Sequence, residues 1–179
     1  DIEIGKGMVI VQQGSGLPGL DQSNARVTLL SDGSLMVHTG GSDIGTGLDT
    51  VCAKVAAEVL QADLDKMAVI SGDTDNTPFD TGAYASSGTY FSGHAALRAA
   101  EDLKEKILTN ASEMLNEPVG DLELVYPGLV KGKKDSISFY KIAHKAESGT
   151  GSGQLIGNAP YVTHDTAIPY GAHFCQVAV

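Results

Sequence analysis

Residues 25–60 have the sequence ARVTLLSDGSLMVHTGGSDIGTGLDTVCAKVAAEVL. Apolar side chains alternate with polar ones on both sides of Asp32-Gly33, a dipeptide that is typical of tight hairpin turns. We therefore predict two antiparallel strands, Ala25 to Leu30 and Ser34 to His38. A glycine-rich loop from Thr39 to Gly47 follows the second strand.

The spacing of apolar residues changes after this loop. They recur at intervals of three and four, the period of one face of an α-helix, at Leu48, Val51, Cys52, Val55, Ala56, Val59 and Leu60. The same pattern predicts a second helix from about Gly93 to Leu115, which Asn116 and Pro118 would end. Before that helix, a buried strand is expected at Met67 to Ser71, with a long loop from Gly72 to Ser92 behind it.

The flanking segments add shorter elements. We predict a buried strand at Met8 to Gln12, a hairpin of Leu122 to Tyr126 with Leu129 to Lys131, a helix from Phe139 to Ala146 capped by Ser138, a mobile loop from Ser148 to Gly157 and a last strand from Ala172 to Val179. Because strand, small-residue loop and helix occur twice in succession, the predicted fold is α/β (mixed α+β): a mixed sheet with two long helices.

Length and charge limit the class of protein. The 179 residues are enough for one domain, and the net charge of -10 argues against partners such as nucleic acid or an anionic membrane. No apolar run reaches the roughly 18 residues of a membrane span. The two cysteines, Cys52 and Cys175, form no metal-binding pair, which favours a reducing, cytoplasmic location. We expect a single domain over residues 1–179 that is a fragment, incomplete at both ends.

A small-residue loop precedes each long helix, and this arrangement suits anion binding. The first N–H groups of a helix have no partner within it, the helix dipole is positive there, and glycine lets a phosphate approach the backbone. The first loop is Gly40 to Gly47, and the second is Thr81 to Thr89 with its serine and threonine hydroxyls. The alternative for the first loop is a plain turn capped by Ser42 or Asp43, and for the second a flexible surface connection. Neither loop matches the P-loop or Rossmann spacing.

These motifs, taken in order, resemble the molybdenum hydroxylase family of xanthine dehydrogenase and aldehyde oxidase. The hairpin that leads into Gly40 to Gly47 is similar to that family's Gly-Gly-Thr/Ala-Asp/Glu-Met-Gly-Gln-Gly segment. Gly72 to Pro78, Ala85 to Thr89 and the closing Tyr170 to Val179 resemble its later pterin-binding loop and strand. The resemblance runs from about Gly5 to Val179. Ile44 and Thr46 differ from the usual Met and Gln, and this puts a side-chain contact by Thr46 in doubt.

The resemblance implies that the chain is part of the molybdopterin-binding large subunit of an oxidoreductase. Molybdopterin, in its cytosine dinucleotide form, would carry the molybdenum on its own sulfurs, so that no protein residue ligates the metal. The cofactor-binding residues implied are Gly45, Thr46, Gly47, Ala85, Ser86, Ser87 and Gly88. Iron–sulfur clusters and FAD would belong to other domains or subunits, which are the expected partners together with the remaining molybdopterin-binding domain.

The resemblance also implies what this chain does not contain. The family's catalytic glutamate lies in a Gly-x-Gly-Glu segment further toward the C-terminus, so we assign no catalytic residue and expect the fragment alone to be inactive. Glu58 is expected on a solvated helix face. His94, at the predicted start of the second helix, is either a cofactor contact or a surface group. Two alternatives remain for the whole chain: an isolated non-catalytic α/β module, and a generic phosphate-binding domain.

Overall fold

The computed structural model describes residues 2–179, in which nine strands and three α-helices follow one another. The strands are β1 (Ile4–Gln12), β2 (Gln22–Leu29), β3 (Leu35–Thr39), β4 (Met67–Ser71), β5 (Glu123–Val125), β6 (Leu129–Lys131), β7 (Ser136–Ser138), β8 (Ile156–Val162) and β9 (Tyr170–Ala178). The helices are α1 (Leu48–Leu60), α2 (Gly88–Leu115) and α3 (Phe139–Ala146). The predicted α/β fold, a mixed sheet with two long helices, is confirmed. No helix within residues 2–179 has both the length and the apolar character that crossing a bilayer requires.

A four-stranded mixed sheet in the order β4-β3-β2-β8 forms the centre of the molecule. β2 pairs antiparallel with β3 across the predicted hairpin, with Val27 opposite Val37 and Leu29 opposite Leu35. β3 and β4 are parallel. Because parallel strands cannot be joined by a tight turn, α1 provides the crossover between them. The first loop thus lies where the chain leaves β3 and enters α1.

The core lies between this sheet and the two long helices. Alternate residues of β2 and β3 face the helices, and Val27 and Val37 are completely buried. Five of the ten buried residues of α2 are alanines, including Ala96 and Ala99, so its backbone comes close to β8. A side chain at Gly157 of β8 would put its Cβ atom 2.6 Å from the backbone nitrogen of Leu103 in α2. This close approach fixes the position of α2 on the sheet.

Two smaller sheets flank the centre. β5, β6 and β7 form an antiparallel meander next to α3, and the Ser138 hydroxyl accepts a hydrogen bond from the Lys141 backbone, which confirms the predicted cap. β1 and β9 form a separate antiparallel ribbon that pairs Ile4 with Ala178. The predicted burial of Met8 to Gln12 is wrong: every residue of β1 is exposed, because no helix within residues 2–179 covers the ribbon.

Two further boundaries differ from the predictions. α2 begins at Gly88 rather than Gly93, since Phe91 and Ser92 are already buried on its inner face while the residues before them are small and polar. β8 was not predicted at all, and the predicted mobile loop from Ser148 overlaps its start at Ile156. Glycine, asparagine and proline are poor strand formers, and Pro160 is tolerated because β8 lies at the edge of its sheet.

Candidate functional site

The two small-residue loops meet at one cleft, although about forty residues of sequence separate them. The cleft has a volume of about 360 Å³ and lies beside the start of α2. It is lined by Ser42, Ile44, Thr46, Leu48, Ala83, Tyr84, Ala85, Ser86, Ser87, Gly88 and Thr89. None of these residues is charged, although the chain as a whole has a net charge of -10.

Five of the seven residues singled out in the sequence line this cleft. Thr46 comes from the first loop, and Ala85, Ser86, Ser87 and Gly88 come from the second. Gly45 and Gly47 do not line it. Ser42, Ile44 and Tyr84 also line the cleft, although the sequence motifs did not assign them to the cofactor. The signal that could have indicated them was their position between the motif glycines and serines.

The carboxylate of Asp43 organises the first loop from within. One of its oxygens accepts hydrogen bonds from the backbone N–H groups of Gly45 (2.9 Å) and Gly47 (3.1 Å). The other accepts from Asp49 in the first turn of α1, at 3.4 Å. The hydrogen bond from Gly45 is the main cause that lowers the pKa of Asp43. This carboxylate therefore occupies backbone donors that the sequence motif had suggested for an anionic cofactor.

The glycines of the first loop have two different roles. Gly45 and Gly47 have φ angles of 98° and 77°, which strongly favour glycine, and a side chain on either would point into open space. Gly40 and Gly41 instead lie against other parts of the protein. A Cβ atom would come within 2.7 Å of the Asp80 side chain at Gly40 and of the Ser92 hydroxyl at Gly41. The glycine pair thus lets the first loop pack against residues on either side of the second loop.

The second loop contains two consecutive residues in the left-handed region. Ala85 and Ser86 have φ angles of 49° and 56°, a conformation that costs non-glycine residues about 1–2 kcal/mol each. Ser87 immediately precedes α2, and its hydroxyl donates to the backbone oxygen of Tyr84 at 2.8 Å. The left-handed pair turns the chain so that the first turn of α2 borders the cleft.

The beginning of α2 is the stronger anion site of the two helix ends. Ser87 makes no side-chain capping hydrogen bond to this helix, and its first turn contains no acidic residue. At α1, by contrast, Asp49 lies in the first turn and Asp43 caps it. Because the first N–H groups of a helix have no partner in the helix and carry the positive end of its dipole, the α2 end can accept a phosphate without displacing a carboxylate.

A buried carboxylate supports the second loop from behind. Asp21 is completely buried and accepts hydrogen bonds from the Tyr84 hydroxyl and from the Leu17 backbone N–H, the latter at 2.7 Å. The bond to Asp21 raises the pKa of the Tyr84 phenol, so this hydroxyl remains protonated. No sequence pattern indicated this pair, because sixty-three positions separate the two residues.

A buried polar chain joins the two helix starts below the cleft. The Ser23 hydroxyl donates to that of Ser92 at 3.2 Å, and Ser92 donates to Asp80 at 3.1 Å. The Cys52 thiol of α1 lies 3.8 Å from the backbone oxygen of Ser92. Burial is the main cause that raises the pKa of Cys52 to about 11, so the thiol is protonated at neutral pH and is a poor metal ligand.

His94 lies in an aromatic cluster and does not line the cleft. Its ring stacks on Tyr161 with centroids 4.6 Å apart, and its Nδ1 atom lies 2.7 Å from the backbone oxygen of Tyr90. Arg98, one turn further along α2, lies 4.8 Å above the same tyrosine ring. These contacts give His94 a structural role in holding α2 against β8.

Comparisons with known proteins agree with this arrangement of loops and helices. The family model described as molybdopterin cofactor-binding domain matches residues 1–179. The chain belongs to this family. It is a molybdenum-cofactor-binding domain of the molybdenum hydroxylase type, as the resemblance had implied.

Two curated relatives match the chain over nearly its whole length. The chain is 58% identical over its whole length to "Probable hypoxanthine oxidase XdhD" of Escherichia coli K12, of which it covers 19%. It is 33% identical over 98% of its length to "6-hydroxypseudooxynicotine dehydrogenase complex subunit gamma" of Paenarthrobacter nicotinovorans, of which it covers 22%. The domain thus spans about a fifth of the length of these relatives.

Solved structures share the fold at low sequence identity. CO dehydrogenase from Oligotropha carboxidovorans matches 99% of the chain with a TM-score of 0.88 and 24% identity, over 24% of its own length. Quinoline 2-oxidoreductase from Pseudomonas putida 86 matches with a TM-score of 0.85 and 23% identity, over 25% of its length. The fold is therefore the same in these proteins.

Proposed function

We propose that the cleft between the two loops binds the phosphate-bearing part of a molybdopterin cofactor. The observation that carries this proposal is a cleft free of carboxylates at the uncapped start of a 28-residue helix. In such a site an anion is held by backbone N–H groups and hydroxyls alone. A depression of about 440 Å³ next to α1 is larger, but its charged lining residues, Lys54, Glu58 and Asp63, have a net negative charge, which disfavours a phosphate.

Within this proposal the seven residues divide into two groups. Thr46, Ala85, Ser86, Ser87 and Gly88 line the cleft and would contact the cofactor directly. Gly45 and Gly47 would act indirectly, since their positive φ angles set the course of the first loop and their N–H groups already donate to Asp43. The exposed side chain of Ile44 would cover an apolar part of the ligand.

We further propose the cytosine dinucleotide form of the cofactor. Both loops bring hydroxyl groups to the cleft and the start of α2 adds backbone N–H groups, which suits a ligand that carries more than one phosphate. Acid treatment of the purified enzyme should then release cytidine monophosphate, detectable by mass spectrometry, in an amount equal to the molybdenum content. Release of pterin without nucleotide would contradict the dinucleotide form and leave the binding site itself unaffected.

The whole enzyme is proposed to hydroxylate an N-heterocycle or an aldehyde in the cytoplasm. The names of the two relatives, a hypoxanthine oxidase and a 6-hydroxypseudooxynicotine dehydrogenase subunit, favour an N-heterocyclic substrate. When bound, the molybdenum cofactor supplies the two-electron chemistry with oxygen derived from water, and iron–sulfur and flavin groups on other domains or subunits accept the electrons. This chain contributes binding and orientation of the cofactor, and alone it would be inactive.

The experiment that tests the proposal measures molybdenum and pterin in the assembled enzyme and in the chain purified alone. We expect both in the assembly, and a strong decrease when Gly45 is replaced by leucine, because the left-handed backbone at this position disfavours any side chain. Gly120→Leu is the matched control, since a Cβ atom there meets nothing within 4 Å. Absence of molybdenum from the assembly, or normal loading of Gly45→Leu, would contradict the proposal.

A further inference from the structure

One segment contacts three consecutive residues of the second loop. The segment from Gln13 to Asp21, which we call the brace, connects β1 to β2. The side-chain amide of Gln13 donates to the Ser86 hydroxyl at 2.6 Å, and the backbone N–H of Gly16 donates to the Ala85 oxygen at 2.8 Å. Asp21 accepts the hydrogen bond of the Tyr84 hydroxyl. The brace thus holds both left-handed residues and the aromatic ring before them.

The contact between the brace and the start of α2 is tight. A Cβ atom at Gly16 would overlap the ring of Phe91, in the first turn of α2, and would lie 3.0 Å from the Asp21 carboxylate. Asp21 itself is completely buried, and a buried carboxylate is costly unless its oxygens are hydrogen-bonded. Its two oxygens accept from Tyr84 and from Leu17, so one side chain fixes the brace and the loop together.

We propose that Asp21 is a positioning residue of the cofactor cleft that acts through Tyr84. Left-handed Ala85 and Ser86 are unfavourable by themselves, so an outside contact must hold them. The Asp21–Tyr84 bond and the two neighbouring contacts provide it, and they keep the backbone of Ala85 to Gly88 facing the cleft. The inference rests on the proposed function, because it assigns the held loop to the cofactor.

The test compares Asp21→Asn and Tyr84→Phe in the assembled enzyme. Asparagine keeps the shape of the side chain, but its amide nitrogen cannot accept from the second donor. The Tyr84→Phe variant removes only the hydroxyl of a side chain that is 41% exposed, so the fold tolerates it. Asp135→Asn and Tyr126→Phe are the matched controls, since both residues are exposed and neither lines the cleft.

Hydrogen–deuterium exchange and cofactor content are the two readouts. We expect roughly tenfold faster exchange of a peptide covering residues 82–88 in both variants, because a hydrogen bond to a carboxylate is lost. Peptides from α3 should not change. Molybdenum and pterin content should fall severalfold, and the double variant should lose little more than either single one, because both remove the same bond.

Three results would overturn the inference. They are unchanged exchange of residues 82–88 in the Tyr84→Phe variant, equally faster exchange in all peptides, and faster local exchange with normal cofactor content. The first shows that the bond does not hold the loop, the second that it only stabilises the fold, and the third that the loop does not position the cofactor. Failure of the proposed function is distinct: the assembly would then contain no molybdopterin although the loop still responds to the variants.

Discussion

Hydrogen bonds hold two carboxylates, those of Asp43 and Asp21, next to the cleft, and neither residue lines it. The glycine and serine motifs predicted both loops and five of the residues that line the cleft. They offered Asp43 as one of two caps for the first loop but could not decide that it accepts from Gly45 and Gly47, because the partner of a backbone N–H depends on where the loop folds in three dimensions. The sequence could not predict the hydrogen bond between Asp21 and Tyr84 either, because the two residues come together only in the folded chain.

Replacing Thr89 by glutamate should separate helix stability from cofactor binding. Thr89 lines the cleft and lies in the first turn of α2. A negative charge there stabilises a helix by roughly 0.3–1 kcal/mol through the dipole, yet it should repel a phosphate strongly enough to lower the cofactor content about tenfold or more. Thermal unfolding and pterin fluorescence measure the two effects, with Thr89→Gln as the neutral control. Normal pterin content in Thr89→Glu would exclude phosphate binding at this helix end.

The pH dependence of stability should show that the ionised carboxylate of Asp43 stabilises the fold. Its pKa in the folded chain is below the ordinary value of 3.8, so the ionised form stabilises the fold above that pH and the contribution disappears as the pH falls below it. Asp43→Asn should lower the melting temperature at neutral pH and much less in acid. Melting temperatures measured from about pH 3 to pH 7 test this. Parallel curves for the two proteins would show that Asp43 does not act through its charge.

The periodicity of apolar residues predicted some elements well and others poorly. It predicted both ends of α1, Leu48 and Leu60, correctly, because the apolar face is regular over these residues and a glycine loop precedes them. It missed the first turn of α2, where small residues pack as closely as apolar ones, and it missed β8, whose glycine and proline serve the packing and the sheet edge. In both cases tertiary contacts override local preference.

The close contact of β8 with α2 makes a prediction about Gly157. Its replacement by alanine should destabilise the chain by about 1–3 kcal/mol, because the new methyl group would overlap the backbone of α2 at Ala99 and Leu103. Chemical denaturation measures the change. Gly120→Ala, where the methyl group meets nothing within 4 Å, should be nearly neutral. Equal stability of the two variants would mean that β8 can move away from the helix at little cost.

At the scale of the whole molecule, the β1–β9 ribbon is exposed on both faces. One face presents Met8 and Phe174, which pair across the strands and are 63% and 76% exposed. Such an apolar surface is unusual for a free-standing domain. The chain spans about a fifth of the length of its relatives, and under the proposed function we expect the remaining molybdopterin-binding domain to cover this ribbon.

The double variant Met8→Lys with Phe174→Lys tests this expectation. It should make the isolated chain less prone to self-association, as measured by light scattering, because the ribbon loses its apolar face. In the complete enzyme it should reduce assembly severalfold. Tyr140→Lys, which replaces an exposed aromatic residue on α3, is the control. Unimpaired assembly of the ribbon variant would show that this face stays in solvent.

The same ribbon sets an order of events during synthesis. It pairs Ile4 with Ala178, and a bridge joins Ser15 of the brace to Ala167. β1 can therefore pair only after residues more than 150 positions later have been made, and pairings over such distances form slowly. The brace acquires its final anchorage only after β9 has left the ribosome. Under the proposed function, we therefore expect the second loop to bind the cofactor only after both strands of the ribbon have been made.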